Sequence, residues 1–405
     1  MTRPKYSIIL PTLNGASTLP ITLPAMLRID RDDVEWIISN NCSDDNTREV
    51  VTSFNDPRIR LIAPKERLSI SRHLAFAYAH AEGEWLSHIG DDDMLFPSRF
   101  RLLDQVQEMT DAKVIRGRLV RYHYPDYKSE AAGKMDPCRF TGLLEVLPGQ
   151  ELFYDQINEL VIFGGGSWCI HRSIVEKLQK RLGCFISDRH VEFFAMRAAC
   201  AVSERAALLD LPLWTLGRHG GSTGTQALYP RAESTATDWD WSLEYPGPWQ
   251  YCPFAFHSYT TISMDAALKA ITSFPEVHVD FDWIRWLEWT AMDIVQMDKL
   301  GRLPRKMSEL WLEGIQKIPY VARLWLEMRN EPLSKWKEAF GDMAFPKKLP
   351  RRTFEQDHAP KDMGVTIPRR LQGEDVGIRD IGDVPIWMEK TYRAVFSAPK
   401  PTTPD

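Results

Sequence analysis

The sequence predicts an α/β chain: a Rossmann-type, mostly parallel sheet flanked by helices, with a helical accessory region after it. Three observations predict this. Short apolar runs alternate with helix-length segments from residue 6 to residue 89, the pattern of consecutive βαβ units. The runs end in polar loops around Asn14, at residues 40–45 and at residues 91–93, and ligands of such sheets bind beyond the carboxyl ends of the strands. After about residue 230 the texture changes to Trp-rich segments with helical spacing.

Residues 6–11 (YSIILP) read as a buried parallel strand ending at a proline. Residues 12–17 (TLNGAS) carry turn chemistry, and Thr18, Leu19 and Pro20 open a helix toward Ile29. Residues 34–39 form a second strand, which enters NNCSDDNT at 40–47 with Ser43 or Asp44 as helix cap. A helix holding Val50, Val51 and Phe54 follows, then a short strand at 59–62 and a helix from 69 toward Gly83. Residues 85–89 form the fourth strand, which delivers Gly90, Asp91, Asp92 and Asp93. A helix begins near Arg99, and residues 114–122 read as a further strand. Residues 126–150 are turn-rich and read as a surface excursion, and 151–161 as helical. Gly164–Gly166 enter another strand; they allow close backbone approach to a sugar or acceptor, or make a plain tight turn. Helices begin at Ser173 and after Asp188, and a strand at 208–216 runs into the Gly217–Gly224 loop.

The expected organisation is a sheet domain over 1–230, an aromatic, Pro-broken linker over 231–258, a helical accessory domain over 259–341 and a basic, Pro-rich extended tail over 342–405. The Trp-rich helical faces suit subunit pairing, acceptor binding or plain core. Lys347, Lys348, Arg351 and Arg352 suit a solvated tail, or peripheral contact with anionic lipid head groups.

Composition excludes several classes. A formal charge of −5 gives no electrostatic footprint for nucleic acid. Six scattered cysteines without a CxxC pair argue against a zinc site or disulfide framework and suit a reducing cytoplasm. No stretch reaches the roughly 18 apolar residues of a membrane helix, and the N-terminal run is too short for a signal peptide. A cytoplasmic protein, at most peripheral to the inner face of the cell membrane, is expected. GxGxxG and GxxxxGK[ST] are both missing, so plain dinucleotide and P-loop readings lack support.

Three adjacent carboxylates repel one another and are costly to desolvate. A strand end that keeps them either holds a cation or forms a solvated acidic turn ahead of a helix. Beside a nucleotide diphosphate they suit Mg2+ or Mn2+.

Over roughly residues 5–225 these pieces together resemble a family-2 glycosyltransferase of the GT-A fold. The resemblance rests on SIILPTLN at 7–14, ISNNCSDDNT at 38–47, SRH at 71–73, the Asp91–Asp93 triplet with Pro97, and the Gly217–Gly224 loop. It implies inverting transfer of a sugar from a nucleotide-diphosphate donor, UDP preferred, to a hydroxyl of a bacterial surface glycan or glycolipid. It places Pro11, Thr12, Asn14, Asn40, Arg72, Asp91 and Arg218 toward the nucleotide sugar. Asn40 stands where the family usually has an Asp, and Gly90 where it has the first Asp of its metal motif. Asp92, Asp93 and His219 are the implied metal set; the register counted back from Pro97 favours Asp92, and the literal Asp-x-Asp motif pairs Asp91 with Asp93. The implied base is Asp188, with Glu192 as rival; Asp188 could otherwise cap its helix. A sugar-phosphate nucleotidyltransferase shares the sheet and acidic site, but Leu13–Thr18 carries no basic residue. The departures at Asn40 and Gly90 also suit a non-catalytic scaffold of the same fold.

Overall fold

The computed structural model describes residues 3–127, 130–138, 140–158, 165–221, 249–255, 258–287, 289–290, 293, 313–314, 316–318 and 371–401. The chain forms two compact units. One comprises Met1–Leu152, Ile162–Gln226 and Gln356–Asp405, the other Phe153–Val161 and Ala227–Glu355.

The first unit opens with the expected alternation: β1 (Tyr6–Thr12), α1 (Leu19–Leu27), β2 (Val34–Asn40), α2 (Thr47–Ser53), β3 (Ile59–Ile62), α3 (Ile70–Ala79) and β4 (Trp85–His88). The apolar runs of β1 and β2 are buried along almost their whole length, as strands covered on both faces must be. β1 pairs in parallel with β2 and β4, and β2 with β3. Then come β5 (Met94–Leu95), α4 (Arg99–Met109), β6 (Val114–His123), β7 (Lys134–Asp136) and β8 (Leu143–Pro148), followed by α5 (Gly149–Ile157), whose residues from Phe153 on belong to the second unit. β9 (Trp168–His171), α6 (Arg172–Leu182), α7 (Val191–Val202) and β10 (Arg205–Arg218) follow. The path through the sheet is β8, β10, β6, β9, β4, β1, β2, β3, with β9 antiparallel to both neighbours.

Residues 126–150 are not the surface excursion that their turn residues suggest. β7 pairs with β6 and β8 with β10, both antiparallel, and Met135, Phe140, Leu144 and Leu147 are buried. β8 finds its partner some sixty residues downstream, a pairing that no local pattern announces.

The expected extended tail is also corrected over its described part. Residues 371–401 contribute β11 (Leu371–Gln372), α9 (Asp383–Thr391) and β12 (Lys400–Pro401), with β11 pairing β7 and β12 pairing β8. Ile378, Ile381, Val384, Met388, Tyr392, Val395 and Phe396 join the main hydrophobic core. Their three- and four-residue spacing is helical; the Pro- and Arg-rich residues before them masked it. Lys347–Arg352 lie outside the described residues.

In the second unit α8 (Tyr259–Ser273) starts from a reciprocal capping box between Ser258 and Thr261. Asn158 donates to the Asp280 carbonyl (2.7 Å) and accepts from Asp282 N–H (2.8 Å). Trp249 and Phe254, at the end of the expected linker, are buried. Residues 231–248 and most of 294–341 lie outside the described residues. No described helix is long and apolar enough to cross a membrane.

Candidate active site

Parallel pairing brings the polar loops together. Thr12 lies beside Asn40 in the β1–β2 register. Ile9 lies beside His88 in the β1–β4 register, so three residues further on Asp91 arrives next to Thr12. The Thr12 hydroxyl donates to Asp91 Oδ2, and Thr22 Oγ1 donates to the Asp91 carbonyl at 2.9 Å. Asn14, at a φ of 59°, accepts from Asp44 N–H (2.9 Å) and donates its own N–H to Ser43 Oγ. These bonds lock the first two loops to each other. Asn40 is buried, and its Oδ1 accepts from Ser43 N–H at 2.9 Å. Pro11 is half-buried at the end of β1.

The three aspartates have different work. Asp93 accepts from Gly90 N–H (2.7 Å) and from Gly217 N–H (2.8 Å), one on each oxygen, so it ties the loop to β10. Asp91 is held by Thr12. Asp92 is buried, and its Oδ2 has no hydrogen-bond partner. Its backbone carbonyl accepts from Tyr124 OH at 3.1 Å. A side chain at Gly217 would run into that same carbonyl, so glycine is required there. Burial pushes Asp91 up to about 6 and Asp93 up to about 7. Burial, then the charges of Asp93 and Asp91, raise Asp92 well above the carboxylate range.

His219 Nε2 is 3.7 Å from Asp92 Oδ2, and its ring meets Tyr124 edge-on at 6.0 Å. Burial lowers its pKa against the opposing pull of Asp126. Asp126 accepts from Gly220 N–H at 3.0 Å and adds its charge to the field on Asp92.

An orphaned buried carboxylate oxygen among like charges fits a divalent cation. The described residues contain no arranged set of three or more His, Cys, Asp or Glu ligands, so oxygens of a bound diphosphate and water would have to complete the shell. His219 Nδ1 accepts from Gly221 N–H at 3.1 Å, which places a neutral ring's proton on Nε2, facing Asp92. Ligation through Nε2 requires the other tautomer and the loss of that bond.

The two candidate bases part company. Asp188 is exposed in the turn before α7, and the N-cap position belongs to His190, so Asp188 is no cap. Glu192, in the first turn, is pushed up to about 7 by burial, with the Asp93 charge adding to it. It also sits within electrostatic reach of Tyr78, whose hydroxyl lies 2.9 Å from His88 Nδ1. Arg218 is half-buried at the end of β10, beside His123 in register. Arg72 is exposed on the first turn of α3. Gly165 and Gly166 press against the His88 ring and the Trp214 indole, so close approach is what they provide, to side chains of the fold.

Sequence reasoning missed Thr22, Tyr124 and Asp126. Asp126 opens the segment expected as a surface excursion, Tyr124 lies just before it, and no motif marks either.

The model of the family described as "Glycosyl transferase family 2" matches residues 7–179. Among curated proteins, the succinoglycan biosynthesis protein ExoO of Rhizobium meliloti is 25% identical over 111 residues, 27% of this chain and 32% of that protein. The putative colanic acid biosynthesis glycosyl transferase WcaA of Escherichia coli is 33% identical over 98 residues, 24% of this chain and 35% of that protein. WfgD of Escherichia coli, a UDP-Glc:alpha-D-GlcNAc-diphosphoundecaprenol beta-1,3-glucosyltransferase, is 25% identical over 96 residues, 24% of this chain and 38% of that protein. The chain thus spans about a third of the length of these relatives. Among solved structures, S. aureus TarS 1-349 in complex with UDP-GlcNAc superposes with a TM-score of 0.52 at 13% identity, covering 83% of this chain and 87% of that one. That likeness is one of fold.

Proposed function

Residues 7–179 of this chain belong to glycosyl transferase family 2, and from that premise we propose an inverting, metal-assisted transfer. The donor is a nucleoside diphosphate sugar, UDP preferred. The acceptor is a hydroxyl of a glycan or glycolipid in cell-surface polysaccharide assembly, met at the cytoplasmic face of the membrane. The names of the curated relatives support the acceptor class.

The observation that carries the reading is the buried, unpartnered oxygen of Asp92 between two carboxylates that the backbone and Thr12 already hold. Asp92 would hold Mg2+ or Mn2+, and His219 after tautomer exchange; the cation supplies charge neutralisation on the departing diphosphate. Asp93 keeps the loop in place through Gly90 and Gly217. Thr12 fixes Asp91 at the ribose side. Arg218 and Arg72 supply positive charge for the donor. Asn40 spends its oxygen on Ser43 N–H, which leaves its amide N–H2 to donate to a base carbonyl.

Glu192 is the general base of this reading, in place of Asp188. A carboxyl with a pKa raised toward neutrality is matched to proton removal from a hydroxyl. The Glu192 carboxylate takes the acceptor's proton as the hydroxyl oxygen bonds to the anomeric carbon and the bond to the diphosphate breaks on the opposite face. Configuration therefore inverts.

The test is Mn2+-dependent turnover of UDP-, GDP- and dTDP-sugars, together with thermal shifts on adding Mn2+ and UDP. Wild type is expected to turn over one donor and to gain several degrees with Mn2+ and UDP. Asp92→Asn should lose about a hundredfold in kcat, roughly 2.7 kcal/mol of transition-state stabilisation, and lose the Mn2+ shift. No turnover of any donor by either protein would favour a scaffold, and equal turnover by the two would remove Asp92 from the metal site. Pyrophosphate released from a nucleoside triphosphate and a sugar phosphate would favour a nucleotidyltransferase.

A further inference from the structure

α7 begins in an unusual way. Val191, its first residue, has a φ of 43°, a left-handed conformation that a β-branched side chain rarely adopts. Its first N–H groups need partners from outside the helix. The N-cap residue supplies none: His190 makes no side-chain cap bond, and its Nδ1 lies 2.7 Å from Ser187 Oγ. Val191 N–H instead donates to Ser71 Oγ at 3.1 Å. Ser71 is buried in the first turn of α3, 120 residues earlier in the chain. It serves as a cap supplied by another element.

We infer that Ser71 is a positioning residue: by accepting Val191 N–H it holds that residue in its left-handed conformation and so sets where the Glu192 carboxyl stands. This rests on the reading of Glu192 as base. Glu192 is the next residue after Val191, so the entry angle of α7 fixes the direction of its side chain. Ser71 is 2% exposed, so water has little access to replace the hydroxyl. A backbone bridge between Ser187 and Val191 also restrains this turn, but without the hydroxyl the Val191 N–H loses its acceptor and the strained φ loses the bond that favours it. A displacement of about 1 Å at a reacting group is enough to cost tens of fold in rate. Ser71 also joins the two sides of the site, since its neighbour Arg72 belongs to the donor side of the proposed reaction.

The test compares wild type, Ser71→Ala, Ser71→Thr, Val191→Gly and the Ser71→Ala/Val191→Gly double variant. Turnover is measured with the UDP-sugar that wild type uses, and crystal structures are determined for wild type and Ser71→Ala. Ser71→Ala should lower kcat about tenfold with the donor KM unchanged, and its Val191 should leave positive φ. Ser71→Thr, which keeps the hydroxyl, should stay near wild type. Glycine adopts positive φ without strain, so the double variant should recover much of the lost kcat. A cap with a purely structural role would give additive losses instead. Val191 still at positive φ in Ser71→Ala, or wild-type kcat in Ser71→Ala beside an inactive Glu192→Gln, overturns the inference and leaves the base reading standing. Full activity in Glu192→Gln removes the base reading, while the Val191 backbone still reports on the clamp.

Discussion

Glu192 and Asp188 lie four residues apart, and their surroundings separate them. Asp188 faces solvent. Glu192 meets the field of Asp93 from the triplet loop and lies near Tyr78 from α3, and burial pushes it up to about 7. Its protonated form cannot accept a proton, so kcat should rise with pH as the carboxyl ionises, with a midpoint at or below about 7, because a bound cation nearby favours the charged form. Glu192→Gln should abolish that acid limb and lower kcat by about 10²–10⁴; an unchanged pH profile would exclude Glu192. The residue types of this site were legible in the sequence: the triplet, Thr12, Asn40 and His219 all converge. Their division of labour was not. Which aspartate is free depends on backbone N–H groups of Gly90 and Gly217, and Gly217 is 124 residues from Asp93.

At the scale of elements, the carboxyl end of β10 closes the site. Gly217 donates to Asp93 and lets the Asp92 carbonyl approach where a Cβ would stand. Gly217→Ala should therefore push the triplet loop outward. Most activity should be lost while circular dichroism stays that of wild type; retained activity would show that the loop has slack. The strands before residue 90 could be read from the sequence because each carries its own apolar run and its own turn. β7 and β8 could not. They are short, half-exposed strands whose stability comes from β6 and β10, and pairing across such separations leaves no local periodicity.

At the scale of the whole molecule, the chain returns after residue 370 to finish the unit it began. Phe396 stacks on Phe96 with centroids 5.6 Å apart, and Glu389 accepts from Ser98 N–H at 2.8 Å. Phe96 lies three residues after Asp93, so this contact supports the segment that follows the acidic loop. Phe396→Ala should cost about 3–5 kcal/mol, the usual range for emptying a buried aromatic site, read as a lower urea midpoint. A change under 1 kcal/mol would mean the segment packs loosely.

Local patterns along the chain are enough to specify the wound sheet, the three loops at its carboxyl end and the acidic side chains they carry. Those follow from local apolar periodicity and from residue types that only a few environments tolerate. Only folding settles which aspartate keeps an oxygen without a hydrogen bond, which acid at α7 is half-buried and which faces solvent, and that residues 371–401 join the first unit. Each of those depends on hydrogen bonds and burial between residues far apart in the chain, and the desolvation that raises the pKa of Asp92 and Glu192 exists only once those distant parts have met.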